Sequence, residues 1–144
     1  MKKNTSILKP ALLIGALSLV GAVHAQVAVV VGAKSPTATM TADQVAGIFL
    51  GKSSTLPGGA TAAAVDQSES AAIREQFYTK VTGKQAAQVK AAWSRLVFSG
   101  KGTPPKEMAS SADVKKFLAG NPDAIGYIEK SAVDATVKVV LSVD

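Results

Sequence analysis

The chain has 144 residues, with 16 Lys and Arg against 10 Asp and Glu, a formal net charge of +6. It contains no Cys, which excludes a disulfide, an iron–sulfur centre, a thiolate zinc site and a Cys nucleophile. With 47% hydrophobic and 18% charged residues it is too apolar to be a disordered chain, and its length suits one domain.

The first 25 residues read as a targeting segment. Lys2, Lys3 and Lys9 precede an apolar run, Ala11 to Val23, interrupted only by Ser18. Val23-His24-Ala25 then places small residues at −3 and −1 of a cut before Gln26. A basic start, a short greasy middle and a small-residue exit predict a secretory signal peptide over 1–25. The run is shorter than the roughly 20 residues that span a bilayer, so no membrane span is expected after cleavage. Cleavage leaves a domain over 26–144. It removes three Lys and no acid, bringing the charge from +6 to +3, and it removes His24, the only His. Without His or Cys, zinc and copper sites, Ser-His-Asp triads and Cys-His pairs are excluded, and neither a metal nor a cofactor is expected.

From Gln26 the pattern alternates between strand and helix. Gln26 to Val31 is β-branched and apolar, a buried strand closed by Gly32. Thr41-Ala-Asp-Gln44 is a capping box, followed by Val45, Ile48 and Phe49 at helical spacing and by Gly51 as a stop. Thr61 to Val65 is an Ala-rich strand. A second helix is predicted to begin near Ser68, with Ile73, Phe77 and Val81 on its apolar face and Gly83 at its end. A third runs from about Lys84 to Phe98, with Val89, Ala92, Trp93, Leu96 and Val97 on one side. Gly100 to Pro105 breaks the chain. Ser110 or Ser111 caps a helix carrying Val114, Phe117 and Leu118 that Gly120 ends. Ile125 to Glu129 and Thr136 to Val143 are strands. In the last, Val137, Val139, Leu141 and Val143 should share one face. The order predicts a single α/β domain with a mixed sheet flanked by helices.

Candidate chemistry is sparse. Gly47 to Ser53 invites comparison with a phosphate-binding P-loop, but three residues separate the glycines where that loop needs four. The better reading is a helix stopped by Gly51. From Gln26 onward no Ser lies three residues before a Lys, so the Ser-x-x-Lys pair is absent there. The carboxylates are scattered, and Asp43 and Asp113 suit first helical turns, where they stabilise the dipole. Basic residues are spread out and the aromatics sit at core-facing helical positions, which does not make a nucleic-acid surface. Val65 to Arg74 is the most specific stretch: a strand end, a polar turn and a helix start. Such a turn holds an oxyanion on free N–H groups and hydroxyls. Ordinary capping by Asp66, Ser68 or Glu69 would satisfy the same groups.

Ala46 to Lys52, Asp66-Gln-Ser-Glu-Ser70 opening a helix with Phe77, and Ala124-Ile-Gly-Tyr-Ile-Glu129 together resemble the second lobe of phosphate-binding proteins, the exported substrate-binding subunits of phosphate ABC transporters. Ala92-Trp93, Phe98-Ser-Gly100 and Pro104-Pro105 resemble small members of the same group. The resemblance implies a single periplasmic-binding-protein-like lobe of type II, located in the periplasm. It implies Asp66 as the carboxylate that accepts a proton from hydrogen phosphate, and Ser68 and Ser70 as hydroxyl ligands. Ala64 falls where the family has an Arg, and Glu69 where it has a Gly. Arg74, one turn after Ser70, is the candidate to supply the missing positive charge. The function expected is an exported, non-enzymatic binding module for phosphate or a related inorganic oxyanion, linked to an ABC transporter. The alternative is a periplasmic protein that docks to another envelope protein and keeps the fold without the ligand.

Overall fold

A computed structural model describes residues 26–144. The predicted signal peptide, 1–25, lies outside the described residues. Five strands and four α-helices follow in the order β1 (Val27–Gly32), α1 (Ala42–Phe49), β2 (Ala63–Gln67), α2 (Ala72–Phe77), α3 (Ala86–Phe98), β3 (Lys106–Met108), α4 (Ser111–Gly120), β4 (Ala124–Glu129) and β5 (Val137–Val143). The strands form one mixed sheet in the order β3-β2-β4-β1-β5. β2 runs parallel to β3 and β4, while β1 is antiparallel to β4 and β5.

Alternation along β1 sorts the core into two layers. Val27, Val29 and Val31 face α1, α2 and α3 together with Ile125 and Tyr127, whereas Ala28 and Val30 face α4 together with Val65, Val114, Leu118 and Ile128. Every residue of β1 is buried, as a central strand covered on both faces must be. On the α4 side the approach is close: a Cβ built on Gly32 would lie 2.3 Å from the Leu118 carbonyl oxygen.

The predicted caps form. Thr41 Oγ1 accepts from the Gln44 N–H at 3.1 Å and the Gln44 side chain accepts from the Thr41 N–H at 2.9 Å. Gly51 takes φ +76° just past α1, and Ser110 Oγ accepts from the Asp113 N–H at 3.2 Å to start α4.

Four expectations need correction. The second helix does not begin near Ser68: β2 continues to Gln67, a turn closed by the Ala71 N–H on the Ser68 carbonyl follows, and α2 starts at Ala72 with no side-chain cap. α2 then runs into a π-helical turn, Tyr78–Thr82. The break after Gly100 is followed by a strand, β3, which has three residues and exists through its pairing with β2. The alternation predicted for β5 fails because the pairing with β1 shifts between Val29 and Val30. This bulge turns Val140 into the core beside Val29 and leaves Val139 exposed. Finally, Phe98 does not face the core; it is 95% exposed at the end of α3.

Candidate functional site

The end of β2 carries Asp66 into the interior, where it is 5% exposed. Its carboxylate is the hub of a hydrogen-bond network. Tyr78 Oη, from the π-helical turn, donates to Oδ2 at 2.6 Å. Tyr127 Oη, from β4, donates to Oδ1. The Gln67 N–H donates to Oδ1 at 2.9 Å and to the Tyr127 oxygen at 3.1 Å. Burial, followed by the negative charge of Asp66, pushes both phenols far above their usual range of 10, so both hydroxyls stay protonated and act as donors.

Arg74, on α2, completes the cluster. Its guanidinium lies 3.7 Å from Asp66 Oδ2 and 3.6 Å from Glu107 Oε2 on β3, and Nη1 donates to the Gln67 carbonyl at 3.1 Å. It also sits 5.9 Å from the centroid of the Tyr78 ring. The side chain is 9% exposed, and its Nε–H is buried without a hydrogen-bond partner.

Asp66, Arg74, Tyr78 and Glu107 line an open cavity of about 470 Å³ bounded by α2, α3 and β3. Asp66, Arg74 and Glu107 lie on one side; Trp93, Phe98, Pro104 and Pro105 supply apolar wall. Glu69 also lines it but is turned to Lys90, 2.5 Å away, and that ammonium holds the Glu69 carboxyl below its ordinary range. Both cations of the cavity, Arg74 and Lys90, are therefore paired with carboxylates.

The four residues singled out from the sequence separate into two pairs. Asp66 and Arg74 are buried together against the cavity. Ser68 and Ser70 sit on the turn between β2 and α2, outside the cavity lining, with their hydroxyls 3.0 Å from each other. The Ser68 N–H is committed to the Met108 carbonyl, at 3.0 Å. Ala64 is partly buried against the helical layer of the core. Sequence reasoning did not assign Tyr78, Tyr127 or Glu107. Tyr127 lies inside Ala124 to Glu129, where one phenol in an otherwise apolar run from Ala124 to Ile128 is a signal, since a buried phenol needs a partner. Glu107 had none, because its strand was not foreseen.

Among the described residues no group of His, Cys, Asp and Glu is arranged to hold a metal, and no helix is long and apolar enough to cross a membrane.

No family model and no curated protein sequence matches the chain. Solved structures do. One, described as a phosphate ABC transporter substrate-binding protein of Clostridium perfringens with bound phosphate, matches at 25% identity and a TM-score of 0.65 over 81% of this chain. An ABC-type phosphate transport receptor of Vibrio cholerae matches at 20% identity and a TM-score of 0.64, again over 81% of this chain. The chain spans 45% and 47% of the length of these two proteins. The fold is thus that of a periplasmic-binding-protein-like lobe, a mixed sheet flanked by helices, shared with proteins described as binding or transporting phosphate.

Proposed function

We propose that the chain is an exported, non-enzymatic binding module for phosphate or a related inorganic oxyanion, linked to ABC-type uptake in the periplasm. Residues 1–25 are its cleaved signal peptide and 26–144 its binding domain. Asp66 and Arg74 are its ligands at the cavity, and Ser68 and Ser70, on the adjoining turn outside the cavity lining, are the remaining members of the proposed set. The observation that carries this reading is Arg74, a buried guanidinium with one uncommitted N–H beside a cavity at the carboxyl end of β2. Open α/β sheets place ligands outside the carboxyl ends of their strands. The likeness to a phosphate-bound structure supports the choice of anion.

The test is calorimetry on the chain from Gln26 with phosphate and with sulfate. Binding of phosphate with a rise in Tm supports the reading. Arg74→Lys keeps the charge but loses the planar donor fork, and about a tenfold loss of affinity is expected. No heat and no thermal stabilisation at millimolar phosphate would overturn it.

A second reading, a docking protein that keeps the fold without the ligand, has its own observation. The Asp66 carboxylate is already met by three donors, and both cavity cations are paired. A complex recovered from envelope extracts and indifferent to phosphate would favour it.

A further inference from the structure

A groove of about 450 Å³ lies across Trp93, Pro104 and Pro105 from the Asp66 cavity, and these three residues line both. It runs between the loop after α1, the start of β2 and the loop into β3. Lys52, Lys101 and Lys106 line it with the hydroxyls of Ser53, Ser54 and Thr103, and no carboxylate does. Lys52 also borders an adjoining groove of about 390 Å³ with Lys84 and Arg95, which again has no carboxylate. Two adjacent grooves therefore share five cations.

None of these five is ion-paired among the described residues. Arg74, Lys90, Lys115 and Lys130, each of which is paired with a carboxylate, lie elsewhere. Crowding like charge around a concave surface raises the local potential and concentrates anions there. The Asp66 cavity offers the reverse balance, with three carboxylates against two cations.

We infer that the grooves joined at Lys52 form a second site, which binds a multiply charged phosphoryl anion, an oligophosphate chain. One tetrahedral ion has five heavy atoms and fills a small part of this volume. A chain of phosphoryl groups places charge along both grooves. Four of the five cations are lysines, which meet phosphoryl oxygens as point charges without a fork to match a carboxylate. This site is independent of the Asp66 reading.

The test uses the chain from Gln26 at low salt, with tripolyphosphate, inorganic phosphate and a hexaglutamate peptide as probes. Tripolyphosphate should bind about tenfold tighter than either of the others and weaken as salt is raised. Backbone amide shifts should centre on Lys52 to Ser54 and Lys101 to Lys106. The combined Lys52→Gln, Lys101→Gln and Lys106→Gln variant should lose about thirtyfold in affinity, whereas Lys116→Gln, on an exposed face of α4, should match the parent. The substituted lysines are exposed, so the variant is expected to keep the parent's Tm within a few degrees. Equal binding of hexaglutamate would replace the oligophosphate with an acidic protein segment. An unchanged triple variant, or no binding of tripolyphosphate, would overturn the site. Shifts confined to Asp66 to Arg74 would do the same while supporting the other cavity.

Discussion

Tyr127→Phe is the sharpest probe of the Asp66 cluster, because it removes one hydroxyl and leaves the packing intact. The ring stacks on Phe77 with centroids 4.0 Å apart and planes 5° from parallel, and it meets Phe49 edge-on at 6.0 Å. Those contacts survive in Phe. What is lost is the donation to Asp66 Oδ1 and an acceptor for the Gln67 N–H. The Gln67 N–H keeps its bond to Asp66 at 2.9 Å, so it is not orphaned. The cost is then one buried hydrogen bond to a charged acceptor, about 2 kcal/mol, within a range of about 1.5–3. In a domain of this size that lowers Tm by about 6–8 °C. Tyr78→Phe, which deletes the 2.6 Å donation to Oδ2, should cost a similar amount. With both hydroxyls gone, the buried carboxylate keeps only the Gln67 N–H and Arg74 at 3.7 Å. The double variant should therefore lose about 1 kcal/mol more than the sum of the singles. Urea unfolding followed by circular dichroism measures all three. A cost for Tyr127→Phe below about 0.5 kcal/mol, or strict additivity, would refute the network as a source of stability.

Three further outcomes follow from the same structure. Both tyrosines of the chain sit in this cluster, and their folded pKa values lie well above the unfolded value of 10. The stability they confer is full below pH 10 and is lost as pH rises beyond it; phenolate absorbance at alkaline pH should appear only together with unfolding, and a tyrosine titrating near 10 in the folded chain would contradict this. Gly32→Ala drives a Cβ to 2.3 Å from the Leu118 carbonyl oxygen, which is backbone, so α4 must move; a loss of about 2–4 kcal/mol is expected in urea unfolding. Phe98→Ser should change stability by less than about 0.5 kcal/mol, since the ring is 95% exposed, yet it should weaken any complex formed through the cavity rim, as a pull-down would show.

What is legible in the sequence is what is local. The Thr41–Gln44 box, the stop at Gly51 and the Ser110 cap depend on residues three or four apart, and all form. The mixed sheet is legible from strand patterning. The candidate site is less so, because its partners converge from a distance: Tyr78 and Tyr127 reach Asp66 across 12 and 61 residues. Asp66-Gln-Ser-Glu-Ser70 carries cap-forming residue types, and these suggest a helix start. Pairing with β3 instead holds Gln67 in the strand, opposite Met108, and delays the helix to Ala72. The bulge at Val140 leaves no mark in a run of alternating residues, since it is set by the neighbouring strand.

The three residues of β3 carry more of the electrostatics than their number suggests. Successive side chains on a strand point to opposite faces. Parallel pairing sets Lys106 beside Val65 and Glu107 beside Asp66. Glu107 is thereby turned toward Arg74, on the α2 side, while Lys106 lies 5.0 Å from the Phe117 ring of α4 and borders the cationic groove. One step along the chain thus sends a negative charge into the Asp66 cavity and a positive charge into the groove beyond it. The wall between them is held by Trp93, whose Nε1–H donates to the Phe49 carbonyl at 2.8 Å. Likeness of fold carries the sheet and the helices across to this chain; it does not carry the charges, which are set by side chains on loops and at the sheet edge. The Asp66 cavity proposed for phosphate and the five cations of the grooves therefore lie at different places on the described surface, and a field of clustered cations draws an anion from a distance.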